Sequence, residues 1–182
     1  MSKSSTDKLY PKVLLHHLCA ISPYGDPFDL ERFLPHLNEA MNEFGINTRL
    51  RQSHFLAQIA YESEDFAKTE GGDFYSEEDL GNVYPGDEEI FAPRGLIKFS
   101  GRTAYEELSE VLDENLLVHP QRLADEDVAS RSAGWFWQRE ELNYSADSND
   151  FDGIVKTLNH LDGGYGERRK KLNEAKKVFN IQ

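Results

Sequence analysis

Apolar residues recur at helical spacing along most of this chain. Asp26-Pro-Phe-Asp opens one helix, with Leu30, Phe33, Leu34 and Leu37 on one stripe and Gly45 just past its end. A second helix is expected from about Thr48 to Glu64. Residues 67 to 101 show no sustained period and are rich in Gly and Pro. They predict a long irregular segment with a short helical turn near Glu77, and unstructured stretches of that length in a compact domain are usually functional. Helix resumes from about Thr103 to Asp113. Asp125 can cap another, with Val128, Ser132, Trp135 and Phe136 on one face. Ser148 or Asn149 can cap a further helix ending near Asn159. Gly163-Gly-Tyr-Gly predicts a turn, and the last helix should carry Leu172, Ala175 and Phe179 inward and its basic residues outward. The pattern is mostly α, with no repeat, linker or low-complexity tract. It predicts a single α-rich domain over 1–182, with residues 1–25 as an N-terminal extension packed on it.

Composition agrees. The 182 residues are 38% hydrophobic and include eleven Phe, enough to build a core. The single cysteine, Cys19, rules out an internal disulfide. No apolar run reaches membrane-spanning length, so no membrane partner is expected. Val13-Leu14-Leu15 is broken at once by His16 and His17, which is not the pattern of a signal peptide. The expectation is synthesis in the cytoplasm, with any action on a cell wall requiring release or export. The net charge of -13 argues against nucleic-acid partners, which need clustered Lys and Arg. The acidity serves solubility, or forms a surface for a basic protein partner.

Candidate chemistry begins at Glu62. At about 100° per residue, Gln52, Phe55, Ile59, Glu62 and Phe66 fall on one side of the second helix, and Glu64 falls opposite. A carboxyl on an apolar face near a helix C-terminus is disfavoured as a charge by desolvation and by the helix dipole. That suits a general acid; the same position also suits an inward Glu paired with an Arg for structural reasons. Trp135 and Trp137 cannot share a face; Trp135 is expected in the core and Trp137 partly exposed. Arg131 is expected in a structural ion pair. The six His have no metal-ligand spacing, so neither metal nor other cofactor is expected. Gly163-Gly-Tyr-Gly lacks the Lys-Ser or Lys-Thr of a phosphate loop and is expected to be a plain helix start.

Three segments in combination carry a resemblance. They are Gln58-Ile-Ala-Tyr-Glu-Ser, then Arg94-Gly-Leu-Ile-Lys-Phe-Ser-Gly-Arg-Thr-Ala-Tyr, then Ala129-Ser-Arg-Ser-Ala-Gly-Trp-Phe-Trp. With Asp150-Phe-Asp-Gly-Ile and Leu158-Asn159 they resemble glycoside hydrolase family 19, the chitinases and lysozyme-like phage endolysins, over roughly residues 28 to 180. The resemblance implies a lysozyme-like α-helical domain with a long irregular cleft segment. It implies an inverting hydrolase of β-1,4 bonds in peptidoglycan or a chitin-like glycan. Glu62 maps onto the proton donor, with Tyr61 where the family commonly has His. The second catalytic position falls on Gly71, which has no carboxylate. Glu70 is then the best remaining base, with Glu77 and Glu78 weaker. Arg94, Lys98, Ser100 and Asn159 map onto substrate-lining or site-supporting positions, and Tyr75 could stack on a sugar. Departures concentrate at the same places: Glu64 and Asp65 replace two Gly, Pro93 replaces a Gly, and Lys98 replaces a Gln. Asn159-His-Leu-Asp-Gly-Gly stands where the family has Asn-Gly-Gly. Two readings follow: an active glycosidase, or a family 19 fold without catalysis that binds a partner as an inhibitor, immunity or antidefence factor.

Overall fold

A computed structural model describes residues 11–71, 80–158 and 163–181. Among them are nine α-helices: α1 (Leu15–Ile21), α2 (Pro27–Glu43), α3 (Arg49–Glu62), α4 (Asp87–Ile90), α5 (Arg102–Leu112), α6 (Glu126–Arg139), α7 (Leu142–Asp147), α8 (Phe151–Leu158) and α9 (Tyr165–Val178). One 3-10 turn, Pro120–Ala124, leads into α6. The fold is mostly α, as the periodicity implies. Its β structure among the described residues consists of two isolated antiparallel bridges, Glu70 with Arg94 and Arg94 with Phe99.

Local chemistry sets the starts of α2 and α3. The Asp26 side chain accepts from the Phe28 amide at 2.8 Å, and Pro27 occupies the first turn, where no amide donor is needed. Thr48 Oγ1 accepts from the Arg51 amide at 3.2 Å. The second of these helices is the centre of the molecule. Every residue from Gln52 to Ala60 is buried, so α3 is covered on all sides rather than along one stripe. It packs chiefly against α9, with α7 and α1 also in contact, while α2 lies on α6. The N-terminal helix α1 docks on α9 and α2 through buried Leu18 and Ile21.

Two sequence expectations change here. Trp137 is the core tryptophan, 1% exposed, with its ring edge-on to Phe55 and its Nε1 donating to Asn143 Oδ1 at 3.1 Å. Trp135 and Phe136 are only partly buried, under the Arg139 guanidinium, 4.6 Å and 5.3 Å from their ring centroids. The reason is a close approach of α6 to α2. A Cβ on Gly134 would lie 2.5 Å from Phe44, so the helix presents its Ser130, Ala133, Gly134 and Trp137 side inward. Arg131 does form a structural pair, a two-point bridge to Glu43 with both bonds 3.0 Å, and it donates to the Leu112 carbonyl. The short helices α1, α4 and α7 were not foreseen; the turn expected near Glu77 lies outside the described residues.

Candidate functional site

The C-terminal end of α3 carries the centre of the site. The chain leaves this helix through Glu64, Asp65 and Phe66, three successive residues in the left-handed region (φ 49°, 60° and 70°). That conformation costs an L-residue roughly 1–2 kcal/mol each, and it falls where the resembled family keeps two glycines. The turn is held from several sides. Phe66 is buried against Phe33, with ring centroids 5.3 Å apart. Ser63 Oγ accepts from the Phe66 amide at 2.9 Å. The Asp65 carboxylate, itself buried, accepts from Lys171 of α9.

Glu62 does not sit in a greasy wall. Its carboxylate accepts from Arg168 Nη2, and its side chain is 20% exposed while that of Arg168 is 2% exposed. Nη1 of the same guanidinium donates to Gln58 Oε1 at 2.8 Å, and its carbon lies 4.1 Å over the centre of the Tyr61 ring. Of the two expectations for Glu62, the inward Glu paired with an Arg is the one found, and the apolar setting is not. The last helix likewise does not turn all its basic residues outward. Arg168 shares the inward face with Leu172 and Ala175, a spacing legible in the sequence. Tyr61 is pinned from behind by Gly164, where a Cβ would fall 1.9 Å from its hydroxyl oxygen. The positive φ of 75° there adds a second reason for glycine.

The facing wall is the irregular segment. The Gly95 amide donates to the Thr69 carbonyl at 2.8 Å, and the Gly71 amide to the Pro93 carbonyl at 3.0 Å, so residues 69–71 run beside 93–95. Arg94 Nε donates to Glu70 Oε1 at 3.0 Å, while Nη1 reaches the Ile90 carbonyl and the Tyr105 hydroxyl, both at 2.9 Å. Burial pushes the Tyr105 phenol up to about 12. The Glu70 side chain, 59% exposed, lines a polar groove of about 400 Å³ with Asp29, Arg32, Asp125 and Glu126. Glu62 does not line that groove. Gly71 meets nothing within 4 Å of where a Cβ would be.

Lys98 is near enough to Glu62, Glu64 and Glu70 to be influenced by their charges. Its backbone is left-handed, with φ 57°. Its ammonium donates to the Lys68 carbonyl and, at 3.3 Å, to the Gly95 carbonyl. Burial draws it down to about 8, against the opposing pull of Glu62, Glu64 and Glu70. Ser100 lies further along the segment, in a smaller recess with Phe99, Thr103 and Trp135. Of the sequence-predicted residues, Glu62, Tyr61 and Lys98 thus share one neighbourhood. Arg94 and Glu70 pair with each other beside it. Tyr75, Asn159, Glu77 and Glu78 lie outside the described residues. Sequence reasoning missed Arg168 and Lys171.

This architecture is the mostly α fold of the family 19 chitinases. The bacterial family 19 chitinase whose structure was compared with plant enzymes superposes with a TM-score of 0.76 at 16% identity, covering 93% of this chain and 96% of that one. The class IV family 19 chitinase from Zea mays gives 0.72 at 17% identity, over 93% and 94% of the two chains. Chitinase C from Streptomyces griseus HUT6037 gives 0.74 at 16% identity, over 93% and 77%. No protein-family model matches the chain. At these identities the likeness is one of fold.

Proposed function

We propose that the protein is a glycoside hydrolase of the lysozyme or chitinase type, cleaving β-1,4 bonds with inversion in peptidoglycan or a chitin-like glycan. The observation that supports this best is the placing of Glu62. It ends the buried central helix, a buried guanidinium holds it, and its side chain stays 20% exposed. Inversion needs one group to protonate the leaving oxygen and another to take a proton from the attacking water, on opposite faces of the sugar. Glu62 is one of that pair. In this reading the enzyme reaches the cell wall by release or export. The test is clearing of peptidoglycan and of colloidal chitin between pH 4 and 8. Glu62→Gln, whose amide oxygen can still accept from Arg168, should lower the rate by about 10²–10⁴-fold with an unchanged circular dichroism spectrum.

A second reading is favoured by Gly71 and by the Glu70–Arg94 pair, which together leave the usual second carboxylate without a counterpart. In it, the fold has lost catalysis and its acidic surface holds a basic protein, as an inhibitor, immunity or antidefence factor. A folded wild type that clears neither substrate across that pH range, yet retains one specific basic partner in a pull-down, would establish it over the first.

A further inference from the structure

Resting on the hydrolase reading, we propose that Gln58 is a positioning residue of the reaction, which aims the Arg168 guanidinium at Glu62. Gln58 has no exposed surface, so it acts through its neighbour and not on substrate. Gln58 and Glu62 stand about one turn apart on the same face of α3. A guanidinium is a planar fork of fixed geometry, and here its two terminal nitrogens are divided between them. Nη1 donates to Gln58 Oε1 at 2.8 Å, and Nη2 donates to Glu62. The Tyr61 ring, with its centre 4.1 Å from the guanidinium carbon, covers one face of the fork and opposes tilting. A ring contact does not oppose rotation of the fork within its own plane; a directional bond to Nη1 does. Gln58 therefore supplies the restraint that Tyr61 cannot, and together they set the direction in which Nη2 donates.

Two features separate this role from packing. The first is an unpaired donor. Gln58 Nε2 is buried without a hydrogen-bond partner among the described residues. A buried donor left unpaired is costly, so a leucine or methionine of similar size would fill the same space better. What the glutamine adds is its carbonyl oxygen. Arginine has donors only, so that oxygen is the end of the amide that faces it. The second feature is neutrality. A glutamate of the same size would also accept from Nη1, but it would share the cation and place two carboxylates one turn apart. The amide orients the fork and leaves its charge to Glu62. Orientation matters because a proton donor works only within hydrogen-bond reach of the leaving oxygen, and small misplacements of a catalytic group are costly in rate.

The experiment compares wild type, Gln58→Met, Gln58→Glu and Gly134→Ala on chitin oligosaccharides and peptidoglycan fragments from pH 4 to 9, with folding followed by circular dichroism. Gln58→Met keeps the length of the side chain and removes the acceptor. Its kcat should fall by about 10–100-fold while KM stays close to that of wild type, because no substrate contact is touched. Gly134→Ala strains the fold elsewhere, where α6 meets Phe44, and should keep the wild-type kcat. Gln58→Glu keeps an acceptor and adds a charge. The alkaline limb of its kcat profile should move to higher pH than in wild type, since a second carboxylate on one guanidinium disfavours charge on its neighbour. A folded Gln58→Met with wild-type kcat, a loss matched by Gly134→Ala, or a Gln58→Glu profile that stays in place overturns the assignment and leaves the hydrolase reading standing. Should Gln58→Met not fold, the Gln58→Glu profile decides alone. A folded wild type inert on every substrate overturns both.

Discussion

Lowering the pH should unload stability through one buried ring. His54 lies in the all-buried stretch of α3 with no exposed surface. Its Nε2 bonds Asn149 Oδ1 at 2.9 Å, and that oxygen also accepts from Lys176 at 2.6 Å. The shared acceptor makes Nε2 the protonated nitrogen. Nδ1 is buried with no partner, so a second proton would have nowhere to go. Burial, with smaller contributions from Lys176 and Arg169, lowers the ring from 6.5 to about 4. The folded value is below the unfolded one, so the unfolded chain takes up the proton first. The stability is complete above about pH 6.5 and is lost as pH falls towards about 4. At 1.36 kcal/mol per unit, the whole step is worth about 3 kcal/mol. Asp87 does not confuse this window. Hydrogen bonds from Arg102 hold it below the usual carboxylate range, so its loss begins only under about pH 4. The assay is urea unfolding at pH 7 and pH 4.5 for wild type and His54→Gln, whose amide nitrogen can keep the bond to Asn149. Wild type should lose about 2–3 kcal/mol between the two; the variant should be less stable at pH 7 but lose far less. Subtraction removes the contribution of His17, which burial also lowers. Equal losses in both proteins would refute the reasoning.

Two further outcomes follow from packing and pairing. Gly134→Ala places a methyl 2.5 Å from the Phe44 ring and should cost about 1–3 kcal/mol by overpacking, read as a lower urea midpoint with unchanged slope. Lys171→Met leaves Asp65 buried without its cation and should cost about 3 kcal/mol; Lys171→Met with Asp65→Asn should recover part of it, whereas additive losses would show that the two side chains do not act as a pair.

The longer helices were legible because the apolar spacing and the caps are local. Asp26-Pro27 and Thr48 begin their helices through bonds to amides a few residues on, and such bonds need no distant partner. The inward face of α9 was legible too, yet Arg168 on that face passed for a solvated cation, since nothing near it in sequence announces the carboxylate it meets. Trp135 and Trp137 exchanged roles for a similar reason. A helix stripe fixes which residues share a side, while the neighbour that lies closest, here α2 against Gly134, fixes which side is buried.

At Glu62 the division is clear. The sequence alone placed a carboxyl at the end of a buried helix, because 3.6-residue periodicity is a property of the backbone. Only the tertiary fold decided what that carboxyl faces. Arg168 arrives from over a hundred residues downstream and Lys98 from a segment without period. Long-range electrostatic partners depend on where chain segments cross in space, and no local pattern encodes that crossing.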